Sequence, residues 1–219
     1  FPLEIAAGII LIGSSPSGLA SNVMAYLAKA NIALSVTLTA VATLLAPIMT
    51  PFLMKTLAGS FVPIDFLAMM TSIFKIVIVP VLLGLIFNYF FHGKAKWLDK
   101  AMPIISMAGI GFIIMIITAA GRDDLLSIGL LLILAAIIHN LLGYVFGYWG
   151  CRIFGMSEQD CRTIAFEVGM QNGGLATGIA LEMGKISTVG LAPAIFGPWM
   201  NISGSSLATW WRDKEPKKK

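Results

Sequence analysis

The run Phe166-Glu167-Val168-Gly169-Met170-Gln171-Asn172-Gly173-Gly174-Leu175 sets one carboxylate, two carboxamides and three glycines inside an otherwise hydrophobic stretch. A charged side chain at the centre of a bilayer costs about 2.5–3.5 kcal/mol on insertion scales, so it persists only beside a partner or a cation. No Lys or Arg shares the span of Glu167. A bound cation is the natural counter-charge. Sodium suits the site because it takes hard oxygen ligands from carboxylates, amides, hydroxyls and carbonyls freed by an unwound helix. Neutral oxygen donors of that kind recur early in the chain as Ser21, Asn22, Ser35 and Thr39, the last two on one helix face at i, i+4 spacing. A single membrane hydroxyl as readily bonds back to its own helix or packs as a small residue. A cluster argues for a site.

The glycines also explain how such residues are positioned. Gly13-Ser14-Ser15-Pro16-Ser17-Gly18-Leu19-Ala20-Ser21-Asn22 aligns without a gap on Gly169 to Gly178, an offset of 156 residues, and Lys29 against Lys185 keeps the register. Each copy interrupts a hydrophobic span with Gly, Pro, Ser or Asn. Paired broken helices in corresponding positions point to the binding site of a secondary transporter. The half-helix ending near Met170 offers free carbonyls to a cation. Half-helices starting near Ser17–Gly18 and Gly173–Gly174 offer N–H groups to a carboxylate or sulfonate, with Asn172 and Asn201 as further polar contacts.

The chain is 58% hydrophobic and 12% charged, which excludes an ordinary water-soluble domain. No alternation of polar and apolar residues supports a barrel, so the expected fold is an all-α membrane protein. Spans are expected at Leu3–Ala28, Ile32–Leu53, Phe66–Phe91, Ile104–Ala120, Leu125–Trp149, Thr163–Met183 and Leu191–Trp211, the first and sixth broken. With the basic tail after Trp211 placed in the cytoplasm, Lys29, Lys94, Lys96, Lys100, Arg152 and Arg162 fall on the same side as Arg212, Lys214, Lys217, Lys218 and Lys219. Only Lys55, Arg122 and Lys185 fall opposite, eleven against three, with Lys75 inside a span. That asymmetry orients the C-terminus inward, in a bacterial inner membrane.

The other polar residues have plainer uses. Lys75 is expected to snorkel, His139 and Asn140 to bond neighbouring helices, and Pro47, Pro51 and Pro80 to kink helices. Cys151 and Cys161 read as small fillers. No catalytic triad or metal-ligand spacing argues for an enzyme, and no aromatic-basic face argues for nucleic acid.

Gly13–Met24, Asn31–Thr39 and Glu167–Asn172 together resemble the signature segments of the bile acid:sodium symporter family, and Ser72–Lys75, His139–Tyr144 and Asn201–Gly204 extend the resemblance over essentially the whole chain. It implies ten helices in two inverted five-helix repeats with two broken, crossing helices, of which seven are present here. It implies core-domain segments at 1–60 and 121–211 (broken helix 163–183), a panel-domain segment at 61–120, and a basic tail at 212–219. The resemblance places one sodium at Ser21, Asn22, Ser35, Thr39 and Glu167. A second falls to Glu167, the backbone of Val168 and Met170, and Gln171. Candidate substrate contacts are Ser17, Gly18, Asn172, Gly173, Gly174 and Asn201. Relatives that carry bile acids commonly have His before the Asn of the last helix, where this chain has Met200, so a smaller anion is favoured over a steroid.

The expected function is sodium-coupled symport of an organic anion by alternating access, as a monomer in the bilayer, with sodium as the coupling ion and no cofactor. The alternatives are proton coupling through Glu167 and a non-transporting, sodium-sensitive receptor or structural subunit. A chain that opens at Phe1 inside a span, without Met, is expected to be preceded by three further spans, roughly 90 residues by the 156-residue offset.

Overall fold

The computed structural model describes residues 1–91 and 96–214, so Lys94 and Lys217–Lys219 of the charge pattern lie outside the described residues. Helices are the only regular elements among them. They are α1 (Leu3–Gly13), α2 (Leu19–Leu27), α3 (Ile32–Ala58), α4 (Phe66–Ile73), a π-helical turn (Phe74–Ile78), α5 (Val79–Phe91), α6 (Lys96–Ala120), α7 (Arg122–Ile153), α8 (Glu158–Gly169), α9 (Gly173–Glu182) and α10 (Leu191–Arg212). Three stretches, Ile32–Ala58, Phe66–Phe90 and Arg122–Ile153, are individually long and apolar enough to cross a membrane.

Helix starts follow from local chemistry. The side chains of Asn31, Asp65, Ser157 and Asn172 each accept a backbone N–H from the first turn of α3, α4, α8 and α9. The breaks fall where glycine, proline and serine predict them, between Gly13 and Leu19 and between Gly169 and Gly173. One irregularity was not expected. Pro80 has no N–H to return to Ile76, and just before it the Val79 N–H reaches five residues back to the Phe74 carbonyl, which widens that turn. α3, by contrast, stays continuous through Pro47 and Pro51.

Burial is concentrated at the breaks. Leu11, Ile12, Phe166, Met170, Leu175 and Phe196 are buried in one cluster drawn from α1, α8, α9, α10 and the second break. α5 and α6 instead turn Leu82, Leu83, Ile86, Ile104 and Ile110 outward, the surface that lipid rather than water requires.

α7 lies unusually close to α8. A Cβ on Gly143 would stand 2.7 Å from the Gly169 Cα, and one on Gly147 would stand 2.7 Å from the Ile164 carbonyl oxygen. These two glycines, one turn apart, form the small-residue seam that lets membrane helices touch through their backbones.

Loop sides can be read from contacts. The Arg162 guanidinium donates to the carbonyls of Ala28, Trp211 and Lys214, and Glu158 binds both Arg162 and Arg152. The ends carrying Lys29, Arg152, Arg162 and Lys214 therefore share one side. Lys185 pairs with Glu4 at the other. Arg162 differs from its expected role in one respect. It is buried at 2% exposure and serves as a cap for helix C-termini, because two sets of end carbonyls converge there and attract a cation.

Candidate functional site

The two breaks cross and pair through their backbones. Ser17 and Gln171 form an antiparallel bridge, and the Asn172 N–H donates to the Pro16 carbonyl at 2.7 Å. Gly18 permits this approach: a Cβ there would meet the Gln171 oxygen and the Asn172 Cα at 3.4 Å. Its φ of −107° is ordinary, so close contact rather than unusual torsion is the use made of this glycine.

Crossing the breaks delivers Glu167, at the end of α8, to hydroxyls from three other segments. Its Oε1 accepts from Ser21 at 2.7 Å and Ser35 at 2.7 Å, while Oε2 accepts from Ser17 at 2.6 Å and Thr39 at 2.9 Å. Asn22 Oδ1 lies 2.7 Å from the Ser35 hydroxyl and 3.3 Å from that of Thr39. Ser21 also reaches the Gly18 carbonyl at 2.8 Å. All five residues expected at the first cation position are thus brought together, and Ser21 and Ser35 are fully buried.

This cluster is rich in oxygen and short of hydrogen. Its seven O···O contacts of 2.6–3.3 Å draw on four hydroxyls, from Ser17, Ser21, Ser35 and Thr39. A hydroxyl has one proton to donate. With the Asn22 amide presenting its oxygen, three of the contacts have no proton, and lone pairs face one another around a carboxylate. Such a set could hold a cation.

Of the second expected group, one pair is in contact. Gln171 folds over its own turn so that Nε2 donates to the Val168 carbonyl at 2.7 Å. Its Oε1 is buried and has no partner among the described residues. Met170 is fully buried beside it. A buried carboxamide oxygen left without a donor, four residues after Glu167, could accept a cation.

The expected substrate contacts divide. Ser17, Gly18, Asn172 and Gly173 meet at the crossing, but Ser17 is turned onto Glu167, and Asn172 Oδ1 caps its own helix through the Leu175 N–H at 3.0 Å. Gly174 is exposed. Asn201 is also exposed, donating to the Gly197 carbonyl one turn back on α10, and Gly197 in turn lies against Gly173.

The sequence reading missed how the carbonyl ends of the broken helices are held. Thr50 on α3 donates to the Ser14 carbonyl at 2.8 Å, and Asn140 on α7 donates to the Gly169 carbonyl at 2.8 Å. Asn140 Oδ1 accepts from Ser203, whose hydroxyl also lies 3.2 Å from that of Tyr144. For Asn140 this is the interhelical role expected of it. His139 differs, packing edge-on against Phe196 and over Gly13. Lys75 is exposed, within the widened turn.

Comparison with known proteins gives a consistent picture. The model of a family described as Sodium Bile acid symporter family matches residues 1–128. The chain is 42% identical over 218 residues to the "Uncharacterized sodium-dependent transporter YocS" of Bacillus subtilis (strain 168), covering 99% of this chain and 67% of that protein. It is 35% identical over 216 residues to the "Probable sodium/metabolite cotransporter BASS1, chloroplastic" of Arabidopsis thaliana, covering 99% and 54%. The protein of the same name from Oryza sativa subsp. japonica is 34% identical over 218 residues, covering 100% and 54%. The chain thus spans between half and two thirds of the length of these relatives.

Proposed function

Because this chain belongs to the sodium bile acid symporter family, a family of transporters rather than enzymes, we propose that it acts in sodium-coupled symport of a small organic anion, with Glu167 as the carboxylate shared by two sodium positions. The observation that carries this reading is the proton shortage around Glu167. With the Asn22 amide oxygen facing Ser35 and Thr39, protonating Glu167, as the proton-coupled alternative requires, adds one hydrogen and still leaves two of the seven contacts without one. A cation engages many lone pairs at once.

In this reading the first sodium is held by Ser21, Asn22, Ser35, Thr39 and Glu167. The second is held by Glu167, the carbonyls of Val168 and Met170, and Gln171. Neutralising Glu167 and fixing the crossing sets the starts of α2 and α9 to receive the carboxylate or sulfonate of the cargo, near Gly18, Asn172, Gly173 and Gly174, with Asn201 one turn from the contact at Gly197. Ion and anion then favour each other's binding equally, as linkage demands. Segments 1–60 and 121–211 serve as the core against which the 61–120 segment moves, in a bacterial inner membrane with the basic C-terminus inside. Alternating access and monomeric action belong to the same proposal.

The test is sodium-dependent thermal stabilisation of the protein in detergent, with potassium as control. At 100 times the half-saturating concentration one site contributes about 2.7 kcal/mol, which is roughly 5–11 °C for a chain of this size. Glu167→Gln should remove the response while leaving the fold, since the amide oxygen still accepts from two of the surrounding hydroxyls and the NH2 donates to the others. A response unchanged in Glu167→Gln refutes the assignment. Stabilisation that follows pH and ignores the exchange of sodium for potassium establishes proton coupling instead.

A further inference from the structure

Ser17 stands where a helix begins and was expected to face an anion. Its hydroxyl instead donates to Glu167 Oε2 at 2.6 Å, while its backbone is bridged to Gln171. The residue is 6% exposed. One side of Ser17 therefore holds the carboxylate common to both proposed sodium positions. The other holds the residue whose buried Oε1 lacks a partner. No other described hydroxyl on Glu167 makes both connections: Ser21, Ser35 and Thr39 reach the carboxylate from α2 and α3 and are not paired to the second break.

Resting on the sodium reading of Glu167, we propose that Ser17 is the positioning residue through which the two sodium positions are coupled. Two cations that share one carboxylate repel each other, and electrostatics alone makes the second bind less tightly than the first. Positive cooperativity needs a link that the first ion sets and the second ion uses. Ser17 supplies it. An ion among Ser21, Asn22, Ser35, Thr39 and Glu167 fixes the carboxylate and, through the Ser17 hydroxyl, the first break. The backbone bridge carries that order to Gln171, where Oε1 and the neighbouring carbonyls then await the second ion already arranged. Without the hydroxyl the carboxylate is still shared, and repulsion is left unopposed.

The experiment is a sodium titration of the protein in detergent, read by intrinsic tryptophan fluorescence, at constant ionic strength made up with potassium. The wild type should give a Hill coefficient above one. Ser17→Ala should bring it to one or below and raise half-saturating sodium about ten- to a hundredfold, the loss of one hydrogen bond to a charged group. Ser17→Gly, which removes the same hydroxyl, should do likewise if the alanine variant folds poorly. Ser15→Ala is the control, since the Ser15 hydroxyl bonds only to its own helix at Leu11, and it should leave the steepness unchanged. A non-cooperative wild type, hydroxyl-free variants as steep as wild type, or an equal loss in Ser15→Ala overturns the coupling role. A wild type indifferent to sodium overturns the reading of Glu167 itself.

Discussion

Replacing Arg162 by methionine should weaken the protein by several kcal/mol without abolishing its response to sodium. Nε of Arg162 donates to Glu158 at 3.1 Å, Nη1 to the carbonyls of Ala28 and Trp211 at 3.0 Å each, and Nη2 to that of Lys214 at 3.1 Å. Methionine fills much of the volume and restores none of these donors. A buried acceptor left unpaired costs about 1–3 kcal/mol, and the Ala28 and Trp211 carbonyls are two such acceptors, so the expected range is about 2–6 kcal/mol. Glu158 keeps the Tyr148 hydroxyl at 2.8 Å and Arg152 at 3.7 Å, so its charge is not stranded. That argues against the upper end and sets the expectation at about 3–4 kcal/mol. For a chain of this size each kcal/mol moves the melting temperature by about 2–4 °C, which predicts a drop of roughly 6–16 °C. Arg162→Lys retains the charge but has no planar fork, and should recover about half of the loss. The assay is thermal unfolding in detergent with and without sodium. Arg162→Met melting within about 2 °C of the wild type would show that the guanidinium does not tie α2, α8 and α10 together.

Two further perturbations probe the supports of the site. Asn140→Leu leaves the Gly169 carbonyl without its partner, while the Ser203 hydroxyl keeps Tyr144 and the Met200 carbonyl, and should lower stability by about 1–3 kcal/mol. It should also raise half-saturating sodium, because the carbonyls on either side of Gly169 lose their anchor. Thermal unfolding and sodium titration of the same sample measure both. Gly143→Ala should destabilise by about 1–3 kcal/mol through overpacking against the Gly169 backbone. Gly150→Ala, on the same helix with open space around it, should be neutral or slightly stabilising, and equal melting temperatures for the two variants would refute the backbone seam.

The breaks and the cluster around Glu167 were legible because helix-breaking residues and intramembrane oxygen donors are local signals. A glycine or proline inside a hydrophobic run interrupts it wherever the neighbours lie. What stayed illegible depended on direction. Arg162 counts as a loop charge in a one-dimensional tally, and only Glu158 four residues earlier hinted at a pairing on one helix face. Ser17 could be placed at a helix start, but whether its hydroxyl faces an anion or a carboxylate is decided by how the second break crosses the first. The widened turn at Phe74–Ile78 had its cause in view at Pro80, yet a proline in a span equally often bends the helix without changing its bonding, as α3 tolerates Pro47 and Pro51. The repeat also suggested more equality than the site possesses. Leu11 occupies the position 156 residues before Glu167 and is buried in the apolar cluster, so the helices before the breaks end 156 residues apart, at Gly13 and Gly169, while only the second carries a carboxylate there.

The two cysteines bear on how the proposed movement of the 61–120 segment can be tested. Cys151 and Cys161 are the only thiols in the chain and both are buried, near the ends of α7 and α8 that Arg152 and Glu158 join. Reaction with maleimides requires an accessible thiolate, so the native thiols should remain silent while an introduced surface cysteine is labelled. Spin labels or fluorophores on α4 and α9, which flank a cavity of about 210 Å³ lined by Ala68, Ser72, Ile179 and Glu182, can therefore report distances in the unmodified background. Changes of opening with sodium then become measurable by spectroscopy without first removing any native residue.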